Sequence, residues 1–250
     1  MFLTIVIFIV IIAALVFVHE LGHFLAAKIS GVRVDEFSIG FPPRIFSKII
    51  GETKYSIGCL PLGGYVKIFG EDGETGNSSF ATKSKWIQAF ILISGIIGNI
   101  IFAWILFSVA LMLGHVGLFS SLYEGARTTL QAFSAIIVGL FQIVVDAFRG
   151  INDFGELSGP VGIASLVGQA QKMGVEYVVS FAAFISLNLA VINLVPFPAL
   201  DGGRILFVII EAIKRKNISA KVANAVNTVG FSILLLLIVI VTIKDVINIF

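Results

Sequence analysis

Long uncharged stretches dominate the hydrophobic pattern of this 250-residue chain. Because the hydrocarbon core of a bilayer is about 30 Å thick, a helix needs roughly 20 apolar residues to cross it. Four stretches reach that length, so the pattern predicts an α-helical polytopic membrane protein with about four transmembrane helices. The predicted spans cover residues 2–27, 87–113, 177–200 and 222–243.

Two further features of this pattern have alternative interpretations. The first span resembles the apolar part of a signal peptide, but no basic segment precedes it and no small-residue cleavage site follows it, so we expect it to be retained. Residues 128–145 are uncharged but only about as long as the shortest span, and Arg127, Asp146 and Arg149 bracket them. We expect the segment 126–150 to lie along the membrane interface, with a fifth span as the alternative.

The composition supports the membrane class. Apolar residues make up 58% of the chain and charged residues 13%, against about 25% charged residues in soluble proteins. Such a chain is neither disordered nor a typical cytosolic enzyme, and the net charge of +2 is too small to indicate nucleic acid. The single cysteine, Cys59, excludes an internal disulfide and a cysteine-based metal cluster.

Positive charge is distributed unequally between the two sides that four spans define. Residues 28–85 and 204–221 contain 8 and 5 Lys and Arg residues, whereas residues 115–176 contain 3 and the C-terminal end contains Lys244. The positive-inside rule places the richer side in the cytoplasm. We therefore expect both termini to be extracytoplasmic.

The loop between the first two spans predicts a small membrane-associated β-structure over residues 31–70. β-forming residues recur at 32–34, 54–57 and 65–68 between glycines and prolines. The run 58–64 is too apolar for a solvated turn, so we expect it to enter the membrane where its backbone is shielded. An exposed strand edge containing Tyr65, Val66 and Lys67 would bind an extended substrate by strand pairing.

The candidate chemistry begins with His-Glu-Leu-Gly-His at residues 19–23, in the first span. His19 and His23 are four residues apart, so both imidazoles project from one helix face and can bind one Zn²⁺, while Glu20 can reach a water at the metal. Ionisable groups inside a span are costly and indicate function by default. The alternative is a polar cluster satisfied at the helix end, which would not need this spacing.

A catalytic zinc needs a third protein ligand, and Asp201 is the leading candidate. It follows 24 uncharged residues at the end of the third predicted span. Two prolines and two glycines within residues 193–203 should interrupt the helix there and expose backbone groups, which a cavity or an extended peptide must satisfy. The alternative is a proline-kinked span with an ordinary polar end.

Together these motifs resemble those of the site-2 proteases, and within them the bacterial regulators of sigma-E protease type. Residues 19–23 match the family's HExxH, and residues 193–201 match the first nine positions of its NxxPxPxLDG. Residues 61–67 are similar to its membrane-reentrant β-loop, and residues 157–163 to the segment before its third span. In the second span this chain keeps the family's Gly95 and Asn99 but lacks its proline, which we expect to alter a local bend.

The resemblance implies an intramembrane zinc metalloprotease of the bacterial inner membrane, which hydrolyses peptide bonds within or near transmembrane segments of membrane protein substrates. It further implies that His19, His23 and Asp201 bind Zn²⁺, that Glu20 is the catalytic acid/base and that Asn193 positions substrate.

One departure from the family concerns domain organisation. Members of this type carry PDZ domains between spans two and three, and residues 115–123 leave no room for one. We therefore expect a single protease domain over residues 1–250, without a PDZ domain. The alternative function is a non-catalytic membrane metal-binding or transport protein, which would be expected to show internal repeats, and the sequence has no evident repeat.

Overall fold

The computed structural model describes residues 2–71, 74, 76–150 and 158–249. These residues form a mostly helical structure with two long strands and a short 3₁₀ turn at Phe80–Thr82. In chain order the elements are α1 (Phe2–Ile29), β1 (Val34–Ile50), β2 (Thr53–Ile68), α2 (Lys85–Leu113), α3 (Leu118–Phe148), α4 (Pro160–Met173), α5 (Val175–Leu194), α6 (Asp201–Lys214) and α7 (Ala220–Ile249).

Five helices in the described part of the chain are long and apolar enough to cross a membrane. They are α1, α2, α3, α5 and α7. The structure therefore supports an integral membrane protein with a small β-sheet, whereas the expected count of four spans is not confirmed. The difference arises at α3, because most of the segment 126–150 that we expected at the interface belongs to a longer helix, Leu118–Phe148.

The third predicted span, 177–200, corresponds to α5, which ends earlier, at Leu194. Pro196 and Pro198 lack the backbone N–H groups that would continue the helix. The chain becomes helical again at Asp201, the first residue of α6. The candidate ligand thus begins a new helix instead of ending a span.

The two strands form one antiparallel sheet in which part of β1 is paired on both sides. On one side, residues 36–39 pair with 64–67, and the residue numbers of the two segments run in opposite directions. On the other side, residues 36–39 pair with 54–57, and the residue numbers increase in the same direction. Residues 44–50 pair with 53–58 as a hairpin. Among the described residues, 64–68 therefore have a strand on one side only and form an edge of the sheet.

The chain divides into two compact units, each with its own core. The first unit contains residues 9–99 and 192–231, and the second contains residues 1–8, 100–191 and 232–250. In the first unit, buried side chains from the end of α1, the sheet, α2 and α6 pack together, including Ala27, Val34, Ile91 and Val208. The candidate site lies entirely in this first unit.

In the second unit, Asp245 of α7 caps the N-terminus of α4. Its Oδ2 accepts a 2.7 Å hydrogen bond from the backbone N–H of Gly162. A Cβ at Gly159 would lie 2.8 Å from the same oxygen, so this position has little room for a side chain. A carboxylate satisfies the unpaired N–H groups at a helix start, and glycine at 159 leaves room for it here.

Candidate metal centre and active site

His19 and His23 lie one turn apart on α1 and present their rings to the same place. Each residue is 7% exposed, and the two Nε2 atoms are 3.3 Å apart. The spacing of four residues produces this arrangement, because an α-helix completes a turn every 3.6 residues. Two nitrogen donors therefore converge at one buried point.

Asp201 completes the cluster from the start of α6. Its Oδ2 lies 2.9 Å from Nε2 of His19 and 3.0 Å from Nε2 of His23. The break between α5 and α6 allows this approach, and two glycines keep it compact. A Cβ at Gly202 would lie 2.2 Å from the carbonyl oxygen of Val195, so the non-helical segment packs directly on the first turn of α6.

The three donor atoms fit one divalent metal ion. Ligand atoms bound about 2.0–2.1 Å from a tetrahedral Zn²⁺ lie about 3.3 Å apart, close to the 2.9, 3.0 and 3.3 Å observed here. Two imidazoles and one carboxylate are also a typical donor set for a catalytic zinc, with a fourth position left open.

The hydrogen bonding of His23 supports the same conclusion. Nδ1 of His23 lies 2.8 Å from the carbonyl oxygen of Ile91, which can only accept, so Nδ1 carries the proton. In the neutral imidazole, Nε2 then presents a lone pair to Oδ2 of Asp201, 3.0 Å away. Nε2 of His23 and Oδ2 of Asp201 can therefore donate to one metal ion, and the Ile91 carbonyl orients the ring as hydrogen-bond partners of metal-bound histidines do.

Glu20 borders the cluster without belonging to it. The donor group comprises His19, His23 and Asp201, and Glu20 is not a member. Glu20 instead lines a cavity of about 140 Å³ beside these donors. A Cβ at Gly64 of β2 would lie 3.3 Å from Cγ of Glu20, so this side chain lies beside the edge strand as well as the donors.

The predicted substrate residues are only partly gathered here. Tyr65 and Val66 line the cavity beside the donors. Lys67 is exposed and Asn193 is half-buried, and neither lines this cavity.

Four groups at the site were not assigned a role from the sequence. Arg204 and Glu71 form an ion pair, and both line the cavity. The Ile91 carbonyl binds His23, and Gly95 lies against both histidines. The position of Arg204, three residues after Asp201, could have indicated a role at the site. The other three groups are at the site only because of how α2 and the sheet pack, which the sequence does not show.

The sheet holds Tyr65 through a polar network centred on the buried side chain of Glu36. This carboxylate accepts hydrogen bonds from Ser56 at 2.6 Å and from Arg44 at 2.7 Å, and Arg44 also donates to the Tyr65 hydroxyl at 3.2 Å. Burial alone would raise the pKa of Glu36, but hydrogen bonds from Ser56 and Tyr65 and the charge of Arg44 outweigh it and lower the pKa. An ionised Glu36 therefore links β1 to the edge strand at the cavity.

A methyl group at Gly95 is expected to disrupt the metal centre. A Cβ at this position of α2 would lie 2.3 Å from Nε2 of His23 and 2.9 Å from Cε1 of His19, so Gly95→Ala must displace at least one of these histidines. We expect zinc affinity to fall by about 10- to 100-fold, as when groups around metal ligands are perturbed. Zinc titration of the purified variant measures this.

The matched control is Gly98→Ala, one turn further along α2. The three atoms nearest to a Cβ there belong to Val18 and Gly22, the nearest at 3.1 Å. This variant should tighten the contact between α1 and α2 without displacing a histidine. Equal zinc affinity in both variants and the parent would show that Gly95 does not control the ligands.

Comparison with known proteins agrees with this geometry. The model of peptidase family M50 matches residues 7–237. A Clostridium perfringens protein named "Putative zinc metalloprotease" is 33% identical over 324 aligned positions, which cover 94% of this chain and 96% of that relative. The regulator of sigma-W protease RasP of Bacillus subtilis is 25% identical over 421 positions, covering 99% of each chain.

The alignments also show that these relatives are longer than this chain. An alignment of 324 positions exceeds the 250 residues of the chain, so at least 74 aligned positions have no counterpart here. Since nearly all of both chains is aligned, the missing positions are mostly internal, and no PDZ domain is evident in this shorter chain. The family match over most of the chain and the three convergent donors establish that it belongs to peptidase family M50, the site-2 proteases, and is an intramembrane zinc metalloprotease.

Proposed function

We propose that His19, His23 and Asp201 are the zinc ligands of this protease and that Glu20 is its catalytic acid/base. The observation that carries this assignment is the convergence of three donor atoms within 3.3 Å of one another, with Glu20 beside them but outside the donor group. When bound there, zinc lowers the pKa of a water molecule and polarises the peptide carbonyl. Measuring bound zinc and peptide cleavage together in variants of Glu20 and Asp201 tests these roles.

Glu20 has the position that proton transfer requires. Glu20 lines the cavity where a scissile peptide and a water molecule would meet the donors. It takes a proton from the attacking water and later delivers it to the nitrogen of the leaving amine. A residue with this task must be free of the metal, which agrees with its place outside the donor group.

We infer that water reaches this point through a larger cavity in the first unit. That cavity is about 870 Å³ and is lined by polar side chains that include Asn224 and Asn227 of α7. It shares Glu71, Leu92 and Arg204 with the smaller cavity at the donors, so the two adjoin at the Arg204–Glu71 ion pair. Hydrolysis inside a membrane protein needs such a wet passage.

The edge of the sheet is the proposed substrate-binding strand, for transmembrane protein substrates that unwind locally. Residues 64–68 have a strand on one side only in the described structure, and Tyr65 and Val66 line the cavity at Glu20. An extended substrate can add to such an edge through main-chain hydrogen bonds, which also expose its carbonyls. That Lys67 and Asn193 contact substrate outside this cavity stays a prediction.

Proline at Val66 is expected to lower cleavage by about tenfold, whereas alanine there should have little effect. The N–H of Phe69 donates to the Arg33 carbonyl, and N–H directions alternate along a strand, so we expect the N–H of Val66 to point away from β1. Val66→Pro removes that donor from the substrate side, at a cost of about one hydrogen bond. The measurement is the rate of cleavage of a transmembrane peptide by both variants.

Zinc content serves as the folding control for this pair of variants. The donors lie on α1 and α6, so a folded Val66→Pro protein retains zinc. If it retains zinc and cleaves as fast as Val66→Ala, substrate does not pair with this edge.

For topology, we propose four crossings, by α1, α2, α5 and α7, with both termini extracytoplasmic. The donors require α1 and α5 to end on the same side, since His23 and Asp201 are in contact. An even number of crossings must then separate α2 from α5. If α3 crossed, α4 would have to return the chain, but its 14 residues span about 21 Å, less than the bilayer core of about 30 Å.

Cysteine labelling in intact cells tests this topology. In a Cys59→Ser background, we expect Gly117→Cys and Lys172→Cys, at opposite ends of the α3–α4 segment, to react with a membrane-impermeant maleimide added outside. Lys48→Cys, in the sheet, should be protected. If Gly117→Cys reacted while Lys172→Cys was protected, α3 would cross the membrane.

A further inference from the structure

The helix that begins with Asp201 turns its ionic side chains into the first unit. Arg204 pairs with Glu71, and Glu211 accepts a 2.5 Å contact from Nζ of Lys85. Both residues project from the same side of α6 as the buried Val208. The interior of the unit therefore contains the charged face of this helix.

The opposite face of α6 is aliphatic and exposed. Leu206, Ile209 and Ile213 are 38%, 47% and 77% exposed, and their spacing of three and four residues places them on one stripe. A helix of a soluble protein shows the reverse arrangement, with its polar face outward. With 14 residues α6 is too short to cross a bilayer, so its stripe fits the boundary between headgroups and acyl chains.

Basic residues follow this stripe immediately. Lys214, Arg215, Lys216 and Lys221 are exposed, and no described carboxylate forms an ion pair with them. Trp86 is 87% exposed beside Lys85, whose Nζ lies 3.2 Å from Oδ1 of Asn217, next to this basic segment. Tryptophan is enriched at membrane interfaces, and clustered basic residues there attract anionic headgroups.

We propose that Lys214, Arg215 and Lys216 bind the headgroups of anionic phospholipids, while the stripe of Leu206, Ile209 and Ile213 lies in the acyl boundary. This surface fits an anionic phospholipid because it combines an aliphatic face, which matches acyl chains, with unpaired positive charge at one end, which matches the headgroup. The same helix presents Asp201 at its other end. Anionic lipid therefore fixes the position of α6, the helix that carries Asp201. The resulting effect on proteolysis rests on the proposed role of Asp201 as a zinc ligand.

Fluorescence quenching tests the lipid site without depending on proteolysis. The protein carries Ile213→Trp with Trp86→Phe and Trp104→Phe, and is placed in nanodiscs of phosphatidylcholine mixed equally with phosphatidylglycerol, one of the two lipids brominated. We expect stronger quenching by brominated phosphatidylglycerol. Replacing Lys214, Arg215 and Lys216 by glutamine should lower this preference by at least about tenfold, since each basic residue near an anionic surface contributes about fivefold.

The control variant replaces Arg127, Arg149 and Lys172 by glutamine, and so loses the same charge elsewhere. It should keep the lipid preference. Equal quenching by both brominated lipids in the protein with its basic cluster intact, or an equal loss of preference in the control, would overturn the lipid site.

Proteolysis is measured in the same nanodiscs with the native tryptophans restored. We expect cleavage severalfold faster with phosphatidylglycerol than in phosphatidylcholine alone, and no such gain in the variant without Lys214, Arg215 and Lys216. A preference for anionic lipid with no gain in cleavage would refute the coupling through α6. Absence of cleavage in every lipid would instead count against the proposed ligands and base, and would leave the quenching result unchanged.

Discussion

Replacing Glu20 by glutamine is expected to lower cleavage of a transmembrane peptide by about 10²- to 10⁴-fold and to leave zinc bound. Glutamine keeps the size of the side chain but cannot take a proton from water. Zinc stays because the donor atoms belong to His19, His23 and Asp201, not to Glu20. The measurements are the single-turnover cleavage rate and the zinc content of the same preparation.

Glu52→Gln is the matched control, since Glu52 occupies the exposed turn between β1 and β2. It removes the same charge in the same unit, away from the cavity, and should cleave like the parent. Cleavage by Glu20→Gln at the parent rate would refute the acid/base assignment. Loss of zinc in Glu20→Gln would instead make Glu20 a ligand.

Removing the carboxylate of Asp201 is expected to abolish both zinc retention and cleavage. Asp201→Ala leaves two imidazoles, and losing a direct ligand should weaken zinc binding by at least about 100-fold, above the 10- to 100-fold typical of outer partners. Asp201→Asn keeps an oxygen donor without its charge, so we expect weakened but measurable zinc binding. Competition with a chromophoric chelator gives the affinities.

The control for this pair is Asp35→Ala, which removes an aspartate of the same unit that pairs with Arg33 at 2.8 Å. It should bind zinc like the parent. An Asp201→Ala protein that is monodisperse, helical and unchanged in zinc affinity would show that Asp201 is an ordinary polar residue at a helix start.

The sequence predicted the helices and the donors because both depend on local pattern. His19 and His23 share a face through their spacing alone, and the prolines before Asp201 indicated a broken helix. What the pattern did not contain was where that helix stops. α5 ends at Leu194, so Asp201 begins α6 and reaches the histidines from a separate element.

Features that depend on packing between helices and strands could not be predicted from the sequence. Gly95 contacts both histidines because α2 packs closely against α1. The sequence shows the glycine but not which residues it contacts. The double pairing of residues 36–39 likewise has no local signal, although it makes 64–68 the edge. Hydropathy cannot separate a span from an apolar helix on the membrane, which is why α3 changed the count of candidate spans.

The most direct test of the central claim is zinc-dependent cleavage of a transmembrane peptide by the purified chain in nanodiscs. We expect cleavage before treatment, loss of cleavage after the metal is chelated, and recovery when stoichiometric Zn²⁺ is returned. The Glu20→Gln protein, carried through the same cycle, should lose and regain zinc without cleaving at any stage. Cleavage that persists in the zinc-free parent, or equal cleavage by the parent and Glu20→Gln, would contradict the account.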